Sequence, residues 1–377
     1  MKNRVGSKLL LQACLALTTF SLYEGVFGQS NDKAPPGPTA RAISSGRKAV
    51  RAMLARASVP GVGVAVAMDG QMLWAEGFGL ANLEQKVVVT NKTKFGIGSI
   101  SKSLTMALVG RLLEEGLLDL DSPVERYLPE FPHKNQKISV RLIAGHLSGL
   151  GDDFATASFY TATHYPNTSA ALKEILKDPV LSPPRERHFY STGTYTIIAG
   201  VVEKVTGREF LTAMNDYVIG PLKLTNTVPN DRREIIADRT AFYIQDESGK
   251  SVNAPYFDPS HKWAGAGYLS TAEDLTKLGI ALMKPGFLKQ NTLDELFRPL
   301  VTSSGEKTEF ALGWRVGTDK KGRRIIHQPG GGAGISCWLF LYPDERLVIT
   351  VLSNQTGAPV GGRLADEIAD SFVAAKR

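Results

Sequence analysis

Ser99 and Lys102 are the residues of this sequence whose types and spacing point most directly to a reaction. Positions i and i+3 of a helix share a face, so a lysine three residues on can reach the serine hydroxyl. The flanking residues supply the helix. A strand-like stretch over residues 94–97 and Gly98 precede Ser99, and Leu104, Leu108 and Leu112 make an apolar face that ends at Gly116. The first N–H groups of a helix lack partners within it and point toward its N-terminus, where an oxyanion would form. A lysine buried beneath that terminus can lose its proton, because desolvation and the positive helix end both disfavour the ammonium. The chemistry implied is attack by Ser99 with Lys102 as proton acceptor. S-x-x-K recurs at Ser45/Lys48 and Ser304/Lys307, but the first pair lies on the polar side of a helix and the second beside Gly305 in a polar loop.

Two further segments carry groups suited to the same chemistry. Residues 183–192 bring Arg185, His188, Tyr190, Ser191 and Thr192 to the start of an apolar helix near Tyr195. Residues 326–334 bring His327, Gln328, Gly330, Gly331 and Gly332 to the start of a strand. With Phe95-Gly96-Ile97-Gly98-Ser99-Ile100-Ser101-Lys102-Ser103, His146-Leu147-Ser148-Gly149-Leu150, and the runs over residues 116–124 and 265–275, these motifs follow in order. In them the chain resembles the serine β-lactamase and penicillin-binding-protein family, in the class C-like branch with its esterases, D-aminopeptidases and mitochondrial β-lactamase-like hydrolases. The resemblance covers about residues 43–375.

That resemblance implies that Ser99 is acylated and that Lys102 accepts its proton. It implies that Tyr190, at the tyrosine of the Y-x-N motif, relays a proton to the leaving group and later from the hydrolytic water. His327 would hold the third-motif position. The Ser99 N–H, with one from Gly330 or Gly331, would form the oxyanion hole. Two departures stand out. Thr192 replaces the motif's asparagine and its amide contact to substrate. His327-Gln328-Pro329-Gly330 is one residue longer than H-x-G, and counting back from Gly334 makes Gln328 the gapless match. A second Y-x-N, Tyr165-Pro166-Asn167, lies in a polar loop with no helix expected after it. His146 and His188 read as structural, and Cys337, in an alternating apolar strand, as a packed thiol.

The elements that must position these groups are legible in outline. Apolar spacing predicts a helix over residues 39–57, and residues 61–79 read as a hairpin turning at Asp69-Gly70. Residues 99–263 read as mostly helical. Strands are predicted over 311–318, 323–328, 334–342 and 346–353, then a helix over about 363–375. The expected fold class is α/β (α+β): an antiparallel sheet flanked by N- and C-terminal helices, with a helical insertion on its other face. The sheet part would be residues 39–98 and 264–377, and the insertion 99–263.

Composition bounds the function. The 377 residues are 43% hydrophobic and 21% charged, with two cysteines and six histidines. This is a globular average, which excludes collagen-like, coiled-coil and wholly disordered chains. Too few cysteines remain for a disulfide scaffold or a cysteine-built metal site, and no H-E-x-x-H, Walker sequence or G-x-S-x-G occurs. No cofactor is therefore expected. Lys2, Arg4 and Lys8 before an apolar run over residues 9–20 read as a secretory signal peptide cut after Gly28, with a polar linker over 29–38. Cleavage would remove three positive charges and Glu24, leaving +5 of the formal +7. That is too dilute to argue for nucleic acid. The expectation is a periplasmic or secreted enzyme with a small-molecule or peptide substrate, no nucleic-acid partner and no membrane span after cleavage. The alternative is a catalytically silent protein that holds cell-wall peptides.

Overall fold

The computed structural model describes residues 37–152 and 160–376. The expected leader over residues 1–28 lies outside the described residues. Pro38 opens the first helix, where a missing N–H costs nothing, and α1 runs Pro38–Ala57. Ala42, Gly46, Val50 and Met53 form its buried stripe. The hairpin follows as β1 (Gly61–Met68) and β2 (Gln71–Asn82). Asp69 and Gly70 turn it with φ of 54° and 81°, the left-handed pair that a two-residue turn requires. β3 (Val87–Val88) and β4 (Phe95–Gly96) then lead to α2 (Ile100–Glu114).

The middle of the chain carries α3 (Val140–Ala144), α4 (Thr168–Ile175), α5 (Tyr195–Thr206) and α6 (Phe210–Met214). It also carries β5 (Val228–Pro229), β6 (Tyr243–Gln245) and β7 (Ser251–Asn253). These strands have only two or three residues, too few to show a period in the sequence. α7 (Trp263–Ala266), β8 (Tyr268–Ser270), α8 (Ala272–Leu282) and α9 (Gln290–Leu296) return the chain to the sheet. It closes with β9 (Arg315–Thr318), β10 (Arg324–Gly332), β11 (Ile335–Tyr342), β12 (Leu347–Ser353) and α10 (Gly362–Lys376).

Seven strands pair in the order β3-β2-β1-β12-β11-β10-β9, each antiparallel to its neighbour. β1 and β12 lie side by side at the centre, so strands from both ends of the sequence make one sheet. Both faces are covered. Val62, Val64, Val66, Phe340 and Ile349 meet Val50, Met53, Leu364, Ile368 and Phe372 of α1 and α10. Ala65, Leu339, Leu341, Val348 and Leu352 meet Leu104, Leu108, Leu275 and Leu278 of α2 and α8. A second small sheet, β4-β8-β5, fixes the residues just before Ser99 to those after α7.

Three expectations change. The leucine spacing predicts one apolar face on α2, yet Ile100 to Gly110 are all buried, because this part of the helix runs between the sheet and the helical half with no solvent face. Its polar residues are each satisfied, as burial demands. Ser101 Oγ accepts from the Tyr268 N–H, Ser103 donates to Gly313 O at 2.9 Å, and Thr105 donates to Ala264 O at 2.8 Å. β9 begins at Arg315 rather than residue 311, and β10 extends through the glycines to Gly332. A helix does follow Tyr165-Pro166-Asn167: Asn167 caps α4, accepting from the Ala170 N–H at 2.9 Å.

Candidate active site

Ser99 occupies the N-cap of α2 and is half-buried. Gly98 before it has a φ of 48°, and a Cβ there would stand 2.7 Å from Gly331 O and 2.8 Å from Gly331 N. Only glycine lets the start of α2 approach β10 this closely. A Cβ on Gly330 would meet Ile97 O at 2.0 Å, so Gly330 is packed on the same loop. Gly331 is exposed and faces open space.

Lys102, one turn into α2, is completely buried. Its Nζ stands 3.2 Å from Ser99 Oγ, 3.1 Å from Thr192 Oγ1 and 3.0 Å from Gly265 O. It also lies 4.9 Å from the centre of the Tyr190 ring and 5.2 Å from that of Tyr195. Tyr190 keeps 38% of its surface exposed, but its hydroxyl reaches in to Ser99 and Lys102. Burial works to raise that phenol. The Lys102 charge, hydrogen bonds to Ser99 and Lys102, and the Arg315 charge outweigh it and hold the group below its ordinary range.

The Tyr190 loop is held by two residues from the segment after α3. Asp152 accepts from Ser191 Oγ at 2.9 Å, the Thr192 N–H at 3.0 Å and the Gly193 N–H at 2.8 Å. Ser191 Oγ accepts from the Thr194 N–H at 3.1 Å, which ties the loop to the start of α5. A carboxylate suits this place, where unpaired N–H groups gather ahead of a helix. The His146 ring lies 4.3 Å from the Tyr190 ring, and its Nδ1 accepts from the Ser191 N–H at 3.2 Å. Burial, then the charges of Lys102, His188 and Arg315, keep the imidazole well below its usual pKa. His188 stacks on Phe310 at 3.7 Å.

Lys262, before α7, is a second buried lysine, 2% exposed. Burial and then the Lys102 charge push it down to about 7, against an opposing pull from Asp152. Sequence reasoning missed Lys262 and Asp152, because neither stands in a local pattern.

The structure brings Ser99, Lys102, Tyr190, Thr192, Gly330 and Gly331 together and turns His327 away. Along β10, Gln328 pairs with Leu339 and His327 with Phe340. Alternate residues of a strand face opposite sides, so His327 points toward the terminal helices. It stacks on Trp338 at 5.5 Å and Phe340 at 5.7 Å, and burial lowers it to about 4. Gln328 is buried on the α2 side, and its Nε2 donates to Ser99 O at 3.3 Å. The gapless count, not the histidine, marks the position facing Ser99. Cys337 is a packed thiol that donates to Ile97 O at 3.0 Å. Ser45/Lys48 and Ser304/Lys307 are exposed pairs.

A serine at the start of a buried helix, with a buried lysine one turn on and a glycine strand opposite, defines a transpeptidase-like site class. The Beta-lactamase family profile matches residues 47–372, and the chain belongs to that family. The mitochondrial serine beta-lactamase-like protein LACTB of Homo sapiens is 29% identical over 399 residues, covering 81% of this chain and 73% of the relative. Penicillin-binding protein 4* of Bacillus subtilis is 26% identical over 309 residues, covering 78% of this chain and 67% of its own. The fold is shared with the D-amino acid amidase of Ochrobactrum anthropi, with a TM-score of 0.78 at 19% identity, over 89% of this chain and 99% of that one.

Proposed function

We propose that this protein is a serine hydrolase that transfers acyl groups through a Ser99 ester. The observation that carries the reading is the completely buried Lys102 Nζ, 3.2 Å from Ser99 Oγ, with the Tyr190 hydroxyl in reach of both. A neutral lysine has two N–H bonds and one lone pair. Gly265 O can only accept, and Thr192 Oγ1 is free to accept, so these take the two N–H bonds. In the catalytic step a neutral Lys102 has its lone pair left for the Ser99 hydroxyl, the reverse of the hydrogen bond that Nζ donates to Ser99 Oγ in the resting site. Ser99 Oγ attacks the substrate carbonyl while its proton passes to Lys102. The Ser99 and Gly331 N–H groups hold the oxyanion, Gly331 being the glycine with an open face. Tyr190, with Lys102 behind it, passes the proton to the leaving group as the tetrahedral intermediate collapses. Water then enters, gives a proton back through the same pair, and releases the acid.

The scissile bond is an amide, lactam or ester of a small molecule or cell-wall-type peptide. Hydrolysis of p-nitrophenyl esters and D-alanyl peptides tests the reading. Turnover with a burst of released p-nitrophenol supports an acyl-enzyme, and no turnover of either class favours the silent binding protein. Export to the periplasm or medium belongs to the same proposal, supported by Lys2, Arg4, Lys8 and the apolar run at residues 9–20. A mature N-terminus at Gln29, read by sequencing, is the expected result.

A further inference from the structure

A pocket of about 340 Å³ opens beside β6 and β7, lined by Arg232, Arg239, Thr240, Phe242 and Tyr256 among others. Its charge is unbalanced. The Arg232 guanidinium lies 5.0 Å from the Tyr256 ring centre and 5.6 Å from that of Phe242, and its Nε is buried with no hydrogen-bond partner. Arg239 donates to two carbonyls, Asp231 O at 3.1 Å and Glu234 O at 3.4 Å, which leave its charge unneutralised. Burial, then the nearby charge of Arg232, lower Arg239. The Asp231 carboxylate, beside the carbonyl that Arg239 contacts, is taken by Arg233 at 2.8 Å, and that of Glu84 by Asn253 at 2.7 Å. Thr240, 3% exposed, adds a buried hydroxyl that also lacks a partner.

Two partly desolvated guanidiniums side by side repel each other and lose hydration, a cost normally offset by an acid. Among the described residues no ion pair supplies one to either arginine. A bound oxyanion would, because a guanidinium fork matches the two oxygens of a carboxylate or phosphate. One wall of the pocket packs on backbone that flanks the Ser99 site. Phe242, one of its walls, blocks a Cβ at Gly96 at 3.1 Å and at Gly334 at 2.3 Å. Gly96 precedes Ser99 by three residues, and Gly334 follows Gly331 by three.

We propose that Arg232 and Arg239 form an oxyanion-binding subsite for a phosphate or carboxylate carried by the acyl substrate. The recruitment of substrate rests on the Ser99 reading; the anion site itself does not. The first arm of the test is calorimetric titration of the full chain with inorganic phosphate and with glutarate at constant ionic strength, since salt screens exposed charge. Saturable binding of at least one is expected, weakened tenfold or more in Arg232→Gln and in Arg239→Gln. Arg232→Lys, which keeps the charge but loses the fork, covers the case of a misfolded glutamine variant and should weaken binding several-fold. No saturation by either anion, or equal affinity in folded variants, overturns the site.

The second arm compares p-nitrophenyl monoesters of dicarboxylic acids of rising length with neutral esters of matching length. A KM at least fivefold lower for one acidic member, lost in Arg232→Gln while neutral esters are unchanged, identifies the anion as the substrate's own. Equal KM across all pairs overturns recruitment and leaves a site for a free anion. If no ester turns over, the Ser99 reading has failed and the first arm still decides the pocket.

Discussion

Lys102 illustrates how one side chain can be fixed and still be chemically available. Three acceptors surround its Nζ at 3.0 to 3.2 Å, so the resting geometry fits a donor. The catalytic step asks the same nitrogen to accept. A guanidinium cannot do so, because it stays protonated under all working conditions. Lys102→Arg should therefore retain charge and lose at least a hundredfold in kcat/KM for p-nitrophenyl esters. Thr192 sets a preference among substrates. Its hydroxyl already accepts from Lys102, and a hydroxyl has one donor where an amide has two. A missing hydrogen bond is worth about 0.5–1.5 kcal/mol, roughly threefold to tenfold in rate. Nitrocefin turnover should accordingly be weak beside that of esters or D-alanyl peptides, and kcat/KM for the three classes decides it.

Lys262 contributes a pH signature. Its folded pKa of about 7 lies below the ordinary 10.5. Between those values the unfolded chain binds a proton there that the folded chain does not, so stability rises with pH. The slope from one such group is up to about 1.4 kcal/mol per pH unit. Lys262→Met should flatten the dependence of unfolding free energy on pH between 7 and 10, as denaturant titrations would measure. An unchanged slope would mean that Lys262 stays charged when folded.

At the scale of elements, the site is an agreement between the N-terminus of α2, the loop before α5, and β10. Asp152 enforces the second of these. Asp152→Ala leaves two backbone N–H groups and a hydroxyl without their acceptor, and each buried loss costs about 1–3 kcal/mol. Ester hydrolysis should fall tenfold or more as Tyr190 loses its support, with a lowered Tm. Full activity would show that the loop is held by His146 alone. Strand alternation explains why β10 turns Gln328 rather than His327 toward Ser99. A shift of one residue exchanges the two faces of a strand, so the choice between His327 and Gln328 decided which side chain met Ser99. Residue type favoured the histidine and spacing favoured Gln328, and spacing prevailed because Gly330 and Gly331 must meet Gly98. The Asp69-Gly70 hairpin and the terminal helices were legible because each announces itself locally. Lys262 and Asp152 were not, since only tertiary approach brings them to Lys102 and Tyr190.

At the scale of the whole molecule, two apolar layers enclose one sheet, and the site lies where one layer begins. The terminal helices cover one face and α2 with α8 the other, so the helix bearing Ser99 has no solvent side from Ile100 to Gly110. Continuous burial takes in Ser101, Ser103 and Thr105 as well as the leucines and keeps Lys102 out of solvent. Ser99→Ala is a clean test, because the Ser99 side chain makes no cap hydrogen bond and alanine at a helix start costs at most about 1 kcal/mol. The most direct test of Ser99 as nucleophile is the intact mass of the full chain after incubation with a fluorophosphonate or a penicillin. One adduct per chain, located on Ser99 by peptide mapping and absent from Ser99→Ala, is the predicted result. Labelling of the alanine variant at the wild-type rate, or an adduct mapped to any other residue, would contradict it.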